Sequence, residues 1–418
     1  MGKTVAEKIL ARACGRDEVM VGEIVWPTPD LVILPDTTLP AFVDELLAEG
    51  ITRLARPDKV VVTCDHDIPP VNAAFAARSR RTKELVAQLG IKYFYDAGRG
   101  GISHYLPAQE GLVGPGMMVM SMDTYAGNLG AVGAFAPCMV YEMATVLAMD
   151  TLWLRVPESI RVNIHGRRPS GVMARDVAQY ICTDIGAEQA NYRVIEYGGP
   201  GIGEFSVDAR FVLCNFPVAV GAKTGIVNPD AVTWAYVQER SDTPFNALAS
   251  DPDADYAEVR DYDISGLEPR ISAPPDTTNV RPLSEYLGVR IDTAYVGSCA
   301  SGNLEDLRAA ASVLKGRRVH PDVRLFISPA TQRYYLDAVR EGLIETFASA
   351  GAYVLGPTCQ PCYGALCPTV DGEVRISTST RNEPGRMGSF EADIYLANPA
   401  TVAASAIKGT IADPREFL

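Results

Sequence analysis

The chain has 418 residues, 47% of them apolar, and its 38 lysines and arginines against 51 aspartates and glutamates give a formal net charge of −13. This apolar content excludes disorder and fibrous repeats, and the length predicts two or three domains. The acidic balance argues against a nucleic-acid partner, because binding phosphates needs clustered lysine and arginine.

The start of the chain does not have the pattern of a signal peptide. Residues 1–16 mix Lys3, Glu7 and Lys8 with apolar residues at helical spacing, which predicts a cytoplasmic protein. The longest uncharged stretches contain several glycines and prolines, so no membrane partner is expected. The 9 cysteines of such a chain are not expected to form disulfides.

Strand and helix patterns alternate along the chain. In order they are a strand at 30–35, a helix at 41–49, a strand at 59–64, a helix at 74–89, a strand at 160–166, a helix containing Asp176, a strand at 292–296, a helix at 305–314, a strand at 323–327, a helix at 331–348 and a strand at 353–355. This alternation predicts α/β layers with parallel sheets. A stretch rich in Asp and Pro at 250–278 indicates a boundary between domains. We therefore predict α/β domains at 1–155, 156–275 and 276–418.

Three cysteines lie where they can form a site. Cys299 follows the predicted strand 292–296, and Cys359 and Cys362 follow the predicted strand 353–355. The carboxyl ends of parallel strands meet at one edge of a sheet, so the three thiols can converge there and bind a soft metal. From spacing alone, two other interpretations stay open: Cys359 and Cys362 could be a redox pair, and Cys299 a core residue.

The sequence segments around these cysteines resemble the motifs of a known family. The segments 297–308 and 357–365 resemble the two cluster-ligand motifs of the aconitase superfamily, most closely those of the large subunits of 3-isopropylmalate dehydratase and homoaconitase. Further matches follow in chain order at Asp65-His66, 101–104, 107–111, 115–116, Asp123, 130–134, Asn215, 221–225, 377–382 and 385–386. The resemblance covers essentially the whole chain.

The resemblance implies a three-domain α/β/α core around a 4Fe-4S cluster, without the family's mobile swivel domain. It also implies a large catalytic subunit of a hydro-lyase or isomerase that dehydrates and rehydrates a small anionic hydroxy acid such as 3-isopropylmalate. The last catalytic-domain motif lies close to Leu418. We therefore expect the swivel domain, which carries the family's catalytic serine, on a separate small subunit.

The resemblance also implies roles for individual residues. The metal ligands would be Cys299, Cys359 and Cys362; the catalytic residues Asp65, His66, His104 and Asp123; and the substrate-binding residues Arg381, Arg386, Asn215, Thr124 and Tyr125. Without the resemblance, the Asp65-His66 pair is also typical of a turn whose polar groups are hydrogen-bonded. Arg381 and Arg386 are also typical of solvent-exposed surface residues.

The chain departs from the family pattern around the expected substrate cavity. Tyr125 stands where relatives have histidine, Ala219 where they have glutamate, and Pro35 where they have histidine. This favours a changed substrate or proton route with the hydro-lyase chemistry retained. The alternatives are a paralogue acting on dimethylmalate, citramalate or citraconate, maleate or a homoaconitate-like acid, a non-catalytic cluster-binding regulatory subunit, and a thiol oxidoreductase.

Overall fold

The fold is that of a computed structural model, which describes residues 2–139 and 142–418. The helices are α1 Val5–Ala13, α2 Leu39–Ala48, α3 Ala73–Leu89, α4 Leu106–Gln109, α5 Met143–Met149, α6 Ala174–Ile185, α7 Ala187–Ala190, α8 Val207–Asn215, α9 Ala231–Gln238, α10 Leu304–Leu314, α11 Gln332–Arg340, α12 Leu343–Ala350 and α13 Pro399–Lys408. The strands are β1 Ile24–Val25, β2 Leu31–Pro35, β3 Val60–Thr63, β4 Tyr93–Tyr95, β5 Val119–Ser121, β6 Leu154–Arg155, β7 Ser159–His165, β8 Val194–Gly198, β9 Thr224–Val227, β10 Glu258–Asp263, β11 Arg270–Ser272, β12 Val280–Pro282, β13 Thr293–Val296, β14 Arg324–Ile327, β15 Tyr353–Val354, β16 Val374–Ser377 and β17 Asp393–Ala397. These elements confirm the predicted α/β class.

The chain divides into two compact units. Unit 1 comprises 1–165 and 187–262, and unit 2 comprises 166–186 and 263–418. The helix α6 therefore belongs to unit 2 although the chain on both sides of it belongs to unit 1. The three-domain division at residues 155 and 275 stays a prediction.

Unit 1 contains two sheets built largely from parallel strands. The first has the order β4-β3-β2-β5, with every neighbouring pair parallel. The second has the order β10-β7-β8-β9, in which β7, β8 and β9 are parallel. Strands such as β2 and β3 are buried along their whole length, as expected for a sheet covered on both faces. The first sheet brings the ends of β2, β3 and β5 to one edge.

Unit 2 is built on a mixed sheet of order β12-β11-β17-β16-β13-β14-β15. The strands from β17 to β15 in this order run parallel, and β11 and β12 add an antiparallel edge. Helices α10 and α13 bury Leu307, Leu314 and Val402 in the same core as Val296 of β13. This packing fixes the carboxyl end of β13, which precedes the predicted metal ligand Cys299.

Local sequence signals account for most helix ends. Thr4 and Glu7 form a capping box at the start of α1, and the Asn303 side chain accepts the Asp306 N–H at the start of α10. The continuous helix predicted at 331–348 is wrong. Gly342 has a φ of +72° and separates α11 from α12, because a left-handed residue ends the regular hydrogen-bonding pattern.

No helix of the described chain combines the length and the apolar composition that crossing a bilayer requires.

Gly130 gives a test of the packing in unit 1. It lies in the 3₁₀ helix Ala126–Val132, where an added Cβ would overlap the carbonyl oxygen of Gly225 and lie 2.8 Å from its carbonyl carbon. Because both neighbours are backbone, we expect Gly130→Ala to lower the free energy of unfolding by about 1–3 kcal/mol in chemical denaturation. In the control Gly203→Ala the added Cβ meets no atom within 4 Å. Equal stability of the two variants would contradict this packing.

Candidate catalytic and metal-ligand sites

Three acidic segments meet at the carboxyl edge of the first sheet of unit 1. Asp36 follows β2, Asp65 and His66 follow β3, and Asp123 follows β5. The strand β2 lies between β3 and β5 in the sheet, so the carboxyl ends of these three strands lie side by side. This edge is where open α/β sheets bind ligands.

The predicted catalytic residues form one connected network. The distance from His66 Nδ1 to Asp65 Oδ1 is 2.7 Å, and that from His104 Nε2 to Asp123 Oδ1 is 2.9 Å. His66 Nε2 lies 3.8 Å from Asp123 Oδ2, which links the two pairs. Asp65 and His104 are buried, whereas one fifth of the His66 side chain is exposed. The exposed part of His66 can therefore meet a ligand while its partners stay fixed.

This network perturbs the acidity of its members. Burial alone would lower the pKa of His66, but the carboxylates of Asp65, Asp123 and Asp36 outweigh it and raise that pKa to about 9. Burial likewise opposes ionisation of Asp123, yet His104 and His66 hold its pKa well below the usual range. His66 is thus a cation at neutral pH beside two carboxylates, the state that a proton donor needs.

Asp36, Asp65 and His66 bring potential ligand atoms within 4.8 Å of one another, close enough for a single metal ion. Their contacts, however, are hydrogen bonds. His66 Nδ1 faces Asp65, and the two Asp36 oxygens accept the backbone N–H groups of His66 and Asp67. These atoms already have hydrogen-bond partners, and the imidazole of His66 has a raised pKa. We therefore interpret the group as a proton-transfer network rather than a metal site.

Two of the predicted substrate-binding residues of unit 1, Thr124 and Tyr125, directly follow Asp123 of this network. The Tyr125 ring stands edge-on to the His104 ring, with 6.3 Å between centroids, and the Tyr125 N–H donates to Asp123 Oδ1 over 3.4 Å. Thr124 is exposed beside them. Asn215 is buried at the end of α8, where its amide donates to Asn128 Oδ1 over 2.7 Å. Tyr125 therefore contacts the His104–Asp123 pair directly.

The predicted metal ligands occupy unit 2. Cys299 follows β13, while Cys359 and Cys362 follow β15; Cys359 directly precedes the 3₁₀ helix Gln360–Tyr363, and Cys362 lies within it. All three are buried and free of disulfides. Ser298, directly before Cys299, has a φ of +77°, a strained conformation for a residue with a side chain and a common one at functional sites.

The surroundings of these thiols are cationic. Arg386 Nη2 lies 3.9 Å from Cys362 Sγ. The buried Arg175 interacts electrostatically with both Cys362 and Cys299. A hydrogen bond from Cys359 and the charge of Arg386 outweigh burial and hold the pKa of Cys362 well below its usual range.

Iron–sulfur clusters are held by thiolates in shielded, hydrogen-bonded pockets. Three buried cysteines with cations beside them match that donor chemistry, so the residues present fit the cluster that the motifs imply. A disulfide exchange site would instead need an accessible thiolate, and these sulfurs are buried.

The second predicted arginine has an acidic partner. Arg381 is about half exposed, and its guanidinium donates to Glu383 over 2.9 Å. Two residues near the sites were missed by sequence reasoning in these roles: Asp36, and Arg175, which donates to the Thr378 and Ser379 carbonyls over 2.5 Å each. Asp36, like Asp65, comes after a buried strand of the parallel sheet, and this placement is a signal that could have found it.

Comparison with known proteins gives the family. The family model of the aconitase family (aconitate hydratase) matches residues 7–289 and 284–409. The chain is 43% identical to the 3-isopropylmalate dehydratase large subunit 1 of Methanopyrus kandleri over 100% of both chains. It is 40% identical to the 3-isopropylmalate dehydratase large subunit of Thermodesulfovibrio yellowstonii over 100% of both. It is also 40% identical to the probable methanogen homoaconitase large subunit of Methanothermobacter thermautotrophicus, covering 99% of this chain and 97% of that protein. These matches confirm the enzyme class predicted from the motifs, a hydro-lyase, and the chain belongs to the aconitase family.

Proposed function

We propose that the chain is the large catalytic subunit of a 4Fe-4S-dependent hydro-lyase that dehydrates and rehydrates a small hydroxy-dicarboxylate of the 3-isopropylmalate type. The observation that carries this proposal is the network of Asp65, His66, Asp123 and His104. Full-length relatives named 3-isopropylmalate dehydratase large subunit support the substrate class.

In this proposal Cys299, Cys359 and Cys362 hold the cluster. When bound, the cluster supplies a Lewis acid for the substrate hydroxyl and carboxylate. The chain contributes the thiolate state, because Arg386 and the hydrogen bond from Cys359 favour the ionised form of Cys362. Arg175 fixes the loop after β16 by donating to two of its carbonyl groups.

His66 would protonate the departing hydroxyl group. Asp65 holds Nδ1 over 2.7 Å, which fixes the ring orientation and leaves Nε2 as the atom that donates the proton. A pKa near 9 keeps the imidazole protonated at neutral pH, and the adjacent carboxylate stabilises that charge. Asp123 stays ionised between His66 and His104 and holds both rings.

Binding of an anionic substrate needs cations and hydrogen-bond donors. We assign Arg386 and Arg381 to substrate carboxylates, since a planar guanidinium can bind a carboxylate through two hydrogen bonds. We assign Asn215, Thr124 and Tyr125 to the polar groups of the substrate. In an acidic chain these arginines have to create a locally positive region.

The base that takes the carbon proton is proposed to be a serine of a small partner subunit. The relatives are named large subunits, which supports such a partner. We further propose that the assembled enzyme is cytoplasmic.

The test is turnover by the anaerobically reconstituted chain together with a small-subunit protein of the same family. We expect 3-isopropylmalate to be isomerised with the highest kcat/KM among 3-isopropylmalate, dimethylmalate, citramalate, maleate and a homoaconitate-type acid. Preference for another acid would make the chain a substrate variant. Absence of turnover on all of them, with cluster and partner present, would favour a regulatory subunit.

Tyr125 tests how far the site departs from its relatives. A phenol can donate a hydrogen bond but carries no positive charge at neutral pH, so it cannot replace a protonated histidine. We expect Tyr125→Phe to lower kcat/KM by about tenfold or less, the value of one hydrogen bond. A loss approaching that expected for His66 variants would show instead that the phenol transfers a proton. Steady-state kinetics of both variants distinguishes these results.

A further inference from the structure

Asp36 makes contacts that tie the His66 turn to the sheet. Its Oδ1 accepts the His66 N–H over 3.1 Å, and its Oδ2 accepts the Asp67 N–H over 3.0 Å. The Asp36 carbonyl accepts the Thr82 hydroxyl of α3 over 2.9 Å, and the Asp36 N–H donates to Thr63 of β3. The residue is fully buried. One carboxylate thus holds the backbone of the turn that carries the imidazole.

The charged groups around Asp36 lie on the edge of the sheet and on helix α3. The titratable groups on the edge of the sheet that carries Asp36 are Cys64, Asp65, His66 and Asp67, and Asp123 lies beyond His66. Helix α3 presents Arg78, which pairs with Asp67 through two nitrogens at 2.5 and 2.6 Å. Because Arg78 and Asp67 neutralise each other, the charges that act most on Asp36 are those of Asp65 and His66.

We propose that Asp36 is a positioning residue of the reaction: its carboxylate fixes the turn from Asp65 to Asp67 and sets the orientation and charge of the His66 imidazole. This inference rests on the proposed function, in which His66 is the proton donor. It adds a residue that touches the donor rather than the substrate.

The acidity of the group agrees with this role. Burial and the charge of Asp65 raise the pKa of Asp36 to about 7, and the Asp36 charge in turn helps to raise the pKa of His66. Asp36 therefore ionises near neutrality, and its ionisation strengthens the hold of His66 on its proton.

The experiment uses Asp36→Asn in the full chain. The amide keeps one acceptor oxygen, loses the second acceptor and removes the charge. We expect kcat to fall by about 10- to 100-fold with little change in KM, because the proton donor is misplaced rather than the substrate. We also expect the titration midpoint of His66 to fall, as measured by NMR of ring-labelled histidine. The chain has 4 histidines, and His66→Gln assigns the signal.

The matched control is Asp176→Asn in α6 of unit 2. Asp176 is also fully buried and also accepts two backbone N–H groups, from Met173 and Arg270. Burial raises its pKa as well, to about 6. This variant should lose stability in a similar way but leave the His66 titration unchanged.

Two results would overturn the inference. One is an unshifted His66 titration in Asp36→Asn; the other is a loss of kcat no greater than that of Asp176→Asn. Should Asp36→Asn fail to fold, Asp36→Glu decides the matter, because it keeps the charge but moves both acceptor oxygens by one methylene from the N–H groups of His66 and Asp67. A kcat of Asp36→Glu equal to that of the unmodified chain contradicts the inference. The NMR readout needs no turnover, so it stands apart from failure of the proposed function.

Discussion

Replacing Cys362 with serine is expected to abolish cluster binding and turnover together. A hydroxyl is a poor replacement for a thiolate that Arg386 and Cys359 keep ionised. Loss of a Lewis acid removes several kcal/mol of transition-state stabilisation, so kcat should fall by at least about 10³-fold. The broad near-visible absorption of the reconstituted chain should disappear, and iron analysis should show a deficit.

The matched control for this prediction is Cys182→Ser. Cys182 is also buried, but it lies in α6 and in none of the motifs. The control should keep the absorption and the iron. A Cys362→Ser protein that retains full iron and activity would remove this residue from the ligand set, and bound zinc in the unmodified chain would contradict the cluster.

Replacing His66 with glutamine is expected to leave the cluster intact and remove the proton donor. General acid catalysis contributes roughly 10²- to 10⁴-fold, and kcat should fall by that amount with a small change in KM. The pH profile of activity gives a second test of His66 as the proton donor. The protonated imidazole is the active form and its pKa is about 9, so activity in the unmodified enzyme should persist at neutral pH and decline as the pH rises through about 9.

His165 is the control for the His66 prediction. Its Nε2 lies 2.8 Å from Asp261 Oδ1, so it is also a histidine paired with an aspartate, but its side chain is 42% exposed and it belongs to no motif. His165→Gln should keep full activity. If His66→Gln lowers kcat no more than His165→Gln, the proton must come from another group.

The sequence could propose candidate site residues but not the contacts between them. Apolar runs and helix signals located most elements, and the motifs located the three cysteines and both histidine–aspartate pairs as candidates. The approach of His66 to Asp123 depends on β3 and β5 both lying beside β2, which is a long-range arrangement that no local pattern encodes.

The errors have similar causes. A single left-handed glycine, Gly342, divided a helix whose apolar spacing looked continuous. Asp36 was not among the predicted site residues, because its role depends on backbone groups 30 residues away along the chain. Arg175 lies on a helix that joins unit 2 from between two segments of unit 1, so its neighbours could not be read from nearby sequence.

The central claim is reversible addition of water to a carbon–carbon double bond by this chain and its partner. The most direct measurement is proton NMR of 3-isopropylmalate incubated in D₂O with the anaerobically reconstituted chain and the small subunit. We expect formation of the isomeric hydroxy acid with solvent deuterium bound to carbon, at a rate roughly 10²- to 10⁴-fold lower with His66→Gln. Absence of deuterium incorporation into any of the candidate hydroxy-dicarboxylates, with the cluster present, would contradict it.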